Sequence, residues 1–449
     1  MAHRSRIRTM GLILALTFIF GALLSIPLAC AANHSDSVEA MLDIGPMVQY
    51  KMKSLAINTD PDHTEEVVEI KAIHMADSLP DGFIPSDANT VSSSGSKYPV
   101  YIFFDNDNDA AIIYFYTTAN TIAMNPYSGY MFSDFKALTD ISGIANWDSS
   151  NVTNMSGLFC GAKSLPDALA LRNWDTSNVT DMSYMFSSAT SLMFVDVSNW
   201  NTSRVTDMTC MFQVGDSWSA NGQLTEILGL GDLDVSNVRD MTCMFYGSAQ
   251  MTYYDVSRWN VSKVESMNHM FCDNRSLRSL DLSNWDVSSL KTICNMFDDN
   301  YELTTIGDVS NWNTSNLIDA GGWLNECHAF VGDNTGTLDL SGWDTSNLKA
   351  AGEMFSSTHV RIIDLSGWTF DSITNDLWDG AGRGIYYETG NSREGFEGLS
   401  QMFKYTSWLT NVYVSQSGQD SYNRALEKGI ATLDMWYGSK SKDFTVKID

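Results

Sequence analysis

The residue pair Met-Phe recurs through most of this chain, usually at intervals of 25 to 27 residues. A period of that size is typical of stacked-repeat proteins, because one unit buries its apolar face only when neighbouring units pack on it. We interpret Leu158-Phe159 and Ala329-Phe330 as filling the same position in two further repeats. The eight Met-Phe pairs begin at residues 131, 185, 211, 244, 270, 296, 354 and 402.

The segment 277–297 shows the pattern within one repeat. It matches the leucine-rich pattern LxxLxLxxNxL, with tryptophan where asparagine usually stands, through Leu277, Leu280, Leu282, Trp285 and Val287. Apolar and polar residues alternate across its LDLS stretch, which predicts a short strand with the leucines facing inward. Asp281 and Ser283 then face outward.

The second half of a repeat has a different period. In the segment 177–186, Val179, Met182, Met185 and Phe186 are spaced like one stripe of a helix, and Ser177 or Asn178 is suited to cap it. Each unit is therefore predicted to contain a strand, a turn with an aromatic plug, and a short helix.

These patterns predict an α/β fold, a leucine-rich-repeat-like right-handed solenoid of about ten 26-residue strand and short-helix units with a β-rich N-terminal cap. The predicted segments are a signal peptide at 1–31, a β-rich region at 32–97, a β-hairpin cap at 98–130 and the repeats at 131–415. An insertion lies at about 374–398, and 416–449 form a C-terminal cap and tail. The cap hairpin is expected from strands at 101–104 and 112–116, and further strands from alternation in 44–76.

The N-terminus predicts secretion. Three arginines precede a long apolar stretch that ends at Ala29 and Ala31, an arrangement typical of a signal peptide. Cys30 offers lipid attachment as a less favoured alternative, because Pro27 replaces the leucine expected three residues earlier. Removal of 1–31 takes away three arginines and no acids, so the net charge of -27 becomes -30, which argues against a nucleic-acid partner.

The units NWDTSNVTDMSYMF and NWNTSRVTDMTCMF, together with TTANTIAMNPYSGYMF, resemble the BspA-like leucine-rich-repeat surface proteins of bacteria over residues 98 to 415. The resemblance implies a secreted or surface-attached protein, and some relatives bind host proteins such as fibronectin and fibrinogen. No cell-wall sorting motif is evident here, so the resemblance leaves the mode of attachment open.

A column of outward-facing acids is the candidate binding site. In six units an aspartate stands immediately before the second inward-facing apolar residue of the predicted strand, and a serine follows the aspartate by two residues. Two explanations stay open. In the first, the carboxylates bind a ligand, which is a basic or polar protein or a cation; in the second, they cap nearby backbone N–H groups. The six are Asp196, Asp255, Asp281, Asp308, Asp339 and Asp364.

Two other columns have simpler explanations. A tryptophan recurs at the turn of most units, and a thin core needs such large apolar side chains, so we expect these rings to be buried. Two cysteine pairs, Cys210 with Cys243 and Cys294 with Cys327, are interpreted as sharing one phase in adjacent units. Either pair is then a disulfide candidate, with buried free thiols as the favoured alternative. The tryptophans are Trp147, Trp174, Trp200, Trp259, Trp285, Trp312, Trp343 and Trp368.

No nucleophile, phosphate or metal motif is recognisable, and the seven histidines are scattered. We therefore expect no enzyme activity, no cofactor, no metal site and no membrane-spanning segment after signal cleavage. The sequence predicts a secreted or cell-surface adhesion protein that binds host or neighbouring-cell proteins through its outward strand face. The alternative is a structural scaffold of the cell envelope.

Overall fold

A computed structural model describes residues 40–56, 69–106, 111–216, 220–374, 398–428, 433–439 and 443–447, all within the compact unit Glu39–Asp449. The predicted signal peptide and nearly all of the insertion at 374–398 lie outside these residues. No helix in the described ranges has the length and apolar character needed to cross a bilayer.

Successive repeats are joined by parallel backbone pairing. A series of isolated bridges connects one position of each repeat to the same position of the next, from Tyr127 to Ala350. Short strands add to this pairing: β4 (Phe194–Asp196) pairs with β5 (Glu226–Leu228), and β6 (Thr337–Asp339) pairs with β7 (Ile362–Asp364). The fold is thus leucine-rich-repeat-like, with small parallel sheets and much turn structure. The bridged positions are Tyr127, Asn154, Asp181, Asp207, Asp240, Ser266, Thr292, Asp319 and Ala350.

The N-terminal part contains one helix and one small sheet. Helix α1 (Gly45–Leu55) has proline in its first turn and buries Gly45, Val48 and Met52 on one face. Strand β1 (Ala72–Met75) pairs in parallel with β3 (Ile112–Tyr116), which pairs antiparallel with β2 (Tyr101–Asp105). The two strands expected in the hairpin are therefore present.

The prediction of a β-rich region at 32–97 is wrong for Gly45–Leu55, which form helix α1. Alternation in the MVQYKMKSLAI stretch was compatible with a strand, yet the buried residues Val48 and Met52 are four apart, the spacing of one helix face. The segment is consequently a mixture of helix and strand.

The C-terminal part extends the parallel pairing. Strand β8 (Asn411–Val414) adds to β7, and β9 (Thr445–Val446) adds to β8. Helix α2 (Gln416–Glu427) lies between them in sequence, and the Ser415 hydroxyl caps it by accepting a hydrogen bond from the Gly418 N–H at 3.2 Å. Short 3-10 turns occur at Ser142–Ile144, Leu169–Leu171, Leu230–Asp232 and Leu433–Trp436.

The predicted short helix of each unit is not formed, and turns replace it. Tyr184, in the middle of the predicted helix, has a φ of 58°, a left-handed conformation that interrupts an α-helix. Its N–H donates to the Thr209 carbonyl of the next repeat at 2.7 Å, and the Phe186 N–H donates to Met211 at 3.0 Å. These N–H groups are used between repeats, so an intrahelical network cannot form.

One repeat is in a different phase from the predicted one. The Phe297 N–H donates to the Trp323 carbonyl, as the Phe271 N–H donates to Met296. Trp323-Leu324 therefore occupies the Met-Phe position that we assigned to Ala329-Phe330. The Cys327 side chain donates to the Phe297 carbonyl, as the Asn300 side chain donates to the Phe271 carbonyl one repeat earlier. Cys327 therefore aligns with Asn300, and the shift separates it from Cys294.

The core contains two aromatic columns, as expected for the tryptophans. Phenylalanines of successive repeats stack face to face, with ring centroids 5.9 Å apart for Phe159 and Phe186 and 5.6 Å for Phe271 and Phe297. Every tryptophan of the predicted column is buried. Most of their indole N–H groups donate to a carbonyl of the preceding repeat, as Trp285 does to Val256 at 2.9 Å. The tryptophans thus join adjacent repeats both by packing and by hydrogen bonding.

We predict that Trp285→Phe destabilises the protein by about 1–3 kcal/mol, because it removes buried volume and leaves the Val256 carbonyl without this donor. Chemical unfolding followed by circular dichroism measures the change. Trp408→Phe is the matched control, since this side chain is 56% exposed, and it should change stability by less than about 0.5 kcal/mol. Equal effects of the two substitutions would contradict the assigned role.

Candidate binding surface

The predicted aspartate column is interrupted in the structure. Asp255, Asp281, Asp308, Asp339 and Asp364 lie in successive repeats. Asp196 is separated from them by the repeat that contains β5, where Leu228 pairs with Asp196 and Gly229 follows. Asp339 and Asp364 pair directly, whereas Ser279 pairs with Thr305, so Gly307 rather than Asp308 stands opposite Asp281. Five of the six residues therefore follow one another in successive repeats as an offset row, and Asp196 stands apart.

These aspartates cap the turns that follow them. In five of them one carboxylate oxygen accepts the backbone N–H of the serine two residues later, at distances such as 3.1 Å from Asp281 to Ser283 and 2.9 Å from Asp339 to Ser341. At Asp255 the contact is with the Ser257 hydroxyl at 3.5 Å. This local bonding supports the capping explanation left open by the sequence.

The capping bonds also favour the charged form of the carboxylates. The pKa of Asp196 is lowered mainly by its hydrogen bond from Ser198, and that of Asp308 by its bond from Ser310. At Asp364, burial acts to raise the pKa, yet hydrogen bonds from Ser366 and Lys447 outweigh it and the pKa is lowered. Capping of the turns therefore explains why these carboxylates are charged. Binding of a partner by them stays a prediction.

The same motif stabilises two other corners of the repeat. At the corner after the tryptophan, the Asp175 carboxylate accepts the Ser177 N–H at 2.9 Å, and Asn313 accepts that of Ser315 at 3.2 Å. At the bridged positions, Asp181 accepts the Ser183 N–H and Asp207 that of Thr209. Much of the acidic excess of the chain is thus used to cap turns.

The bridged positions include two aspartates whose pKa is raised by burial, unlike the aspartates of the outward row. Burial raises the pKa of Asp207, and Asp181 and Asp240 on the neighbouring repeats raise it further. Asp319 is fully buried, and this raises its pKa to about 6 although the Gly321 N–H donates to it. Ionisation of Asp207 and of Asp319 therefore opposes folding.

We predict that Asp281→Ala destabilises the protein by about 1 kcal/mol and that Asp281→Asn does not, because the asparagine oxygen still accepts the Ser283 N–H. Urea unfolding of the three proteins gives the comparison. A loss as large in the asparagine variant as in the alanine variant would show that charge, rather than capping, stabilises this position.

We predict that Asp319→Asn stabilises the protein near neutral pH by on the order of 1–3 kcal/mol. The folded-state pKa of about 6 lies above the ordinary value of 3.8, so the folded state binds the proton more tightly. Stability is then complete below the ordinary pKa and declines as the pH rises through about 6. Asparagine keeps the cap, as Asn154 does at the equivalent position.

Urea unfolding between about pH 4 and pH 8 measures the effect, which should vanish at the acidic end. Asp175→Asn is the control, since the pKa of Asp175 is lowered by its bonds from Ser177 and no gain at neutral pH is expected. A gain in Asp319→Asn that is independent of pH would exclude ionisation as its cause.

A second surface was missed by the sequence reasoning. Four residues after the Met-Phe position, side chains of successive repeats stack on one another at the surface. The Arg275 guanidinium lies 5.5 Å from the Tyr301 ring centroid, and the Tyr301 and His328 rings stack at 5.5 Å with an interplanar angle of 15°. We call Arg275, Tyr301, His328 and His359, together with Trp408, which stands one position further along its repeat, the aromatic-histidine ladder.

The remaining two members continue this surface. The His359 and Trp408 ring centroids are 5.6 Å apart, and Trp408 is largely exposed. Desolvation lowers the pKa of His359, and the neighbouring His328 lowers it further. The two histidines are therefore close enough for their charges to interact.

An acid two residues earlier holds each of the first three members. Asp273 accepts from the Arg275 guanidinium at 2.9 Å and Asp299 from the Tyr301 hydroxyl at 2.9 Å. Glu326 lies 3.2 Å from the His328 imidazole. These intramolecular contacts fix the positions of the first three members of the ladder.

The sequence signal for the ladder is an acid two residues before an arginine, tyrosine or histidine, at 273–275, 299–301 and 326–328. It could not be seen with Ala329-Phe330 at the Met-Phe position, because His328 then falls six positions out of phase with Arg275 and Tyr301. In the described ranges, no group of three or more His, Cys, Asp or Glu side chains is arranged to hold a metal ion.

Two solved structures show low similarity to this chain. This chain is 12% identical to a TLR13–ssRNA13 complex, with 66% of this chain and 40% of that one covered and a TM-score of 0.25. It is 10% identical to an LRR protein of Leptospira interrogans, covering 69% and 88% of the two chains with a TM-score of 0.21. Among curated proteins, none matches this chain.

A family model described as "Mycoplasma protein of unknown function, DUF285" matches residues 128–227, 216–337 and 307–377. Together these segments span more than half of the 449 residues and include most of the bridged repeats. The chain therefore belongs to the DUF285 family.

Proposed function

We propose that this chain is a secreted or cell-surface protein that binds extracellular proteins of a host or of neighbouring cells, and that the aromatic-histidine ladder is its principal contact surface. The observation that carries the proposal is the stacking of Arg275, Tyr301 and His328 across three successive repeats at the surface.

The composition of the ladder favours a protein partner. Arginine, tyrosine and tryptophan are enriched among the residues that contribute most to protein–protein binding. The phenylalanines and tryptophans of the two core columns are buried, yet Trp408 is left exposed beside His359. Rings of this size at the surface are available to be covered by a partner.

The order of the ladder also favours binding. Side chains already held in place lose little conformational freedom when a partner binds, so more of the contact energy appears as affinity. Hydrogen bonds from Arg275 to Asp273 and from Tyr301 to Asp299 provide this order. The outward aspartates are ordered as well, but their bonds to the serines that follow them already give these residues a structural role.

The proposal includes the architecture and the location. We infer that the repeats form a right-handed solenoid of about ten units and that the chain is close to the BspA-like surface proteins; the repeat motifs and the bridge series from Tyr127 to Ala350 support this inference. Secretion is inferred from the signal-peptide pattern at 1–31.

Capture from plasma and extracellular-matrix extracts by the tagged full chain tests the function, with purified fibronectin and fibrinogen as defined probes. The ladder variant Arg275→Ala/Tyr301→Ala/Trp408→Ala should weaken binding at least about tenfold, since such residues commonly contribute more than about 1 kcal/mol each. Tyr50→Ala/Tyr437→Ala is the matched control, because both rings are exposed outside the ladder.

A variant with the six column aspartates changed to asparagine separates the two candidate surfaces, because asparagine keeps the caps. We expect it to bind like the unaltered chain. Loss of binding in this variant alone would assign the site to the strand face. No capture by the unaltered chain, together with tight retention in an envelope complex, would favour the structural scaffold instead.

A further inference from the structure

Cys210 and Cys243 occupy the same position in two successive repeats. The backbone pairing on both sides fixes this register: the Cys210 N–H donates to the Thr242 carbonyl at 2.8 Å, and the Phe212 N–H donates to Met244 at 2.9 Å. Paired neighbours in a parallel ladder lie about 4.8 Å apart, within the range of about 4.4–6.8 Å that a disulfide requires between Cα atoms.

The two side chains also point the same way. Both residues are left-handed, with φ angles of 54° and 56°, so their Cα–Cβ bonds have the same orientation relative to the ladder. The adjoining Cys243 thiol, together with burial, raises the pKa of Cys210.

None of the other described cysteines has a second cysteine at the same position of an adjacent repeat. Cys160 and Cys272 share a position but are four repeats apart, and the phase correction separates Cys294 from Cys327. All six described cysteines are free thiols in this structure. The pair Cys210 and Cys243 is therefore distinguished by its geometry.

We propose that Cys210 and Cys243 form a modification site that reacts with a small-molecule disulfide, such as oxidised glutathione, and closes to an intramolecular disulfide between adjacent repeats. Cys243 is the more exposed of the two and reacts first. Its sulfur bonds to one sulfur of the reagent while the S–S bond of the reagent breaks, and the released thiol takes the proton.

The Cys210 sulfur then attacks the Cys243 sulfur of this mixed disulfide. The second reagent thiol leaves with the Cys210 proton, so two protein thiols are oxidised and one reagent disulfide is reduced to two thiols. The bond closes the longest interval between neighbouring Met-Phe positions within the bridged repeats, the 33 residues from 210 to 243, when Leu158-Phe159 and Trp323-Leu324 are counted as such positions. Closing a loop of this length restricts the unfolded chain and stabilises the folded one.

Peptide mapping of the full chain tests the proposal. Trypsin cleaves after Arg204, Arg239 and Arg258, which places Cys210 and Cys243 in two adjacent peptides with one cysteine each. After incubation of the reduced protein with oxidised glutathione, we expect these two peptides to be joined by a disulfide. Cys210→Ser should stop at a glutathione adduct on Cys243, and Cys272→Ser, the control, should still form the link.

Thermal unfolding provides a second readout. Oxidation should raise the Tm by several degrees in the unaltered chain and in Cys272→Ser, but not in Cys210→Ser. Persistence of both thiols, or of separate glutathione adducts on both cysteines of the unaltered chain, would overturn the proposal. The peptide map of the unaltered chain decides this even where a variant fails to fold.

Discussion

The parallel backbone hydrogen bonds between successive repeats are the interaction on which the rest of this structure depends. They set one register from Tyr127 to Ala350, and equivalent side chains consequently lie one above another. A repeat has too little apolar surface to form a core by itself, so burial of its Phe and Trp side chains requires this alignment. The stacked phenylalanines, the tryptophan hydrogen bonds and the surface ladder all follow from the same register.

Alignment also places like charges in columns, and the chain compensates for this by local bonding. An aspartate or asparagine at each of three corners accepts the N–H two residues ahead, as at Asp175, Asp207 and Asp281. These bonds replace the hydrogen bonds that the backbone loses at a turn. The strongly acidic composition is therefore in large part a consequence of the repeat, and it is weak evidence for a cationic ligand.

The sequence predicted the features that depend on side-chain pattern alone. The period, the buried tryptophans and the inward-facing leucines of the LDLS stretch could be read from spacing, because burial repeats with the fold. The strand predicted at LDLS is not formed, and only the bridge of Ser279 with Thr305 stands there. The predicted helix failed because a stripe at helical spacing does not reveal that Tyr184 is left-handed. The phase around Cys327 failed because Trp323-Leu324 replaces Met-Phe, and only the backbone pairing identifies it. The ladder was missed for the same reason, since its members align only after that correction.

Hydroxyl-radical footprinting of the full chain in an extracellular-matrix extract tests most directly whether the ladder, rather than the strand face, contacts partners. Labelling of Tyr301, His328 and Trp408 should be slower in the extract than in albumin at equal protein concentration. Tyr50 and Tyr437, exposed outside the ladder, should be labelled equally in both. Protection of Tyr253, which is exposed two residues before Asp255, without protection of the ladder would contradict this account.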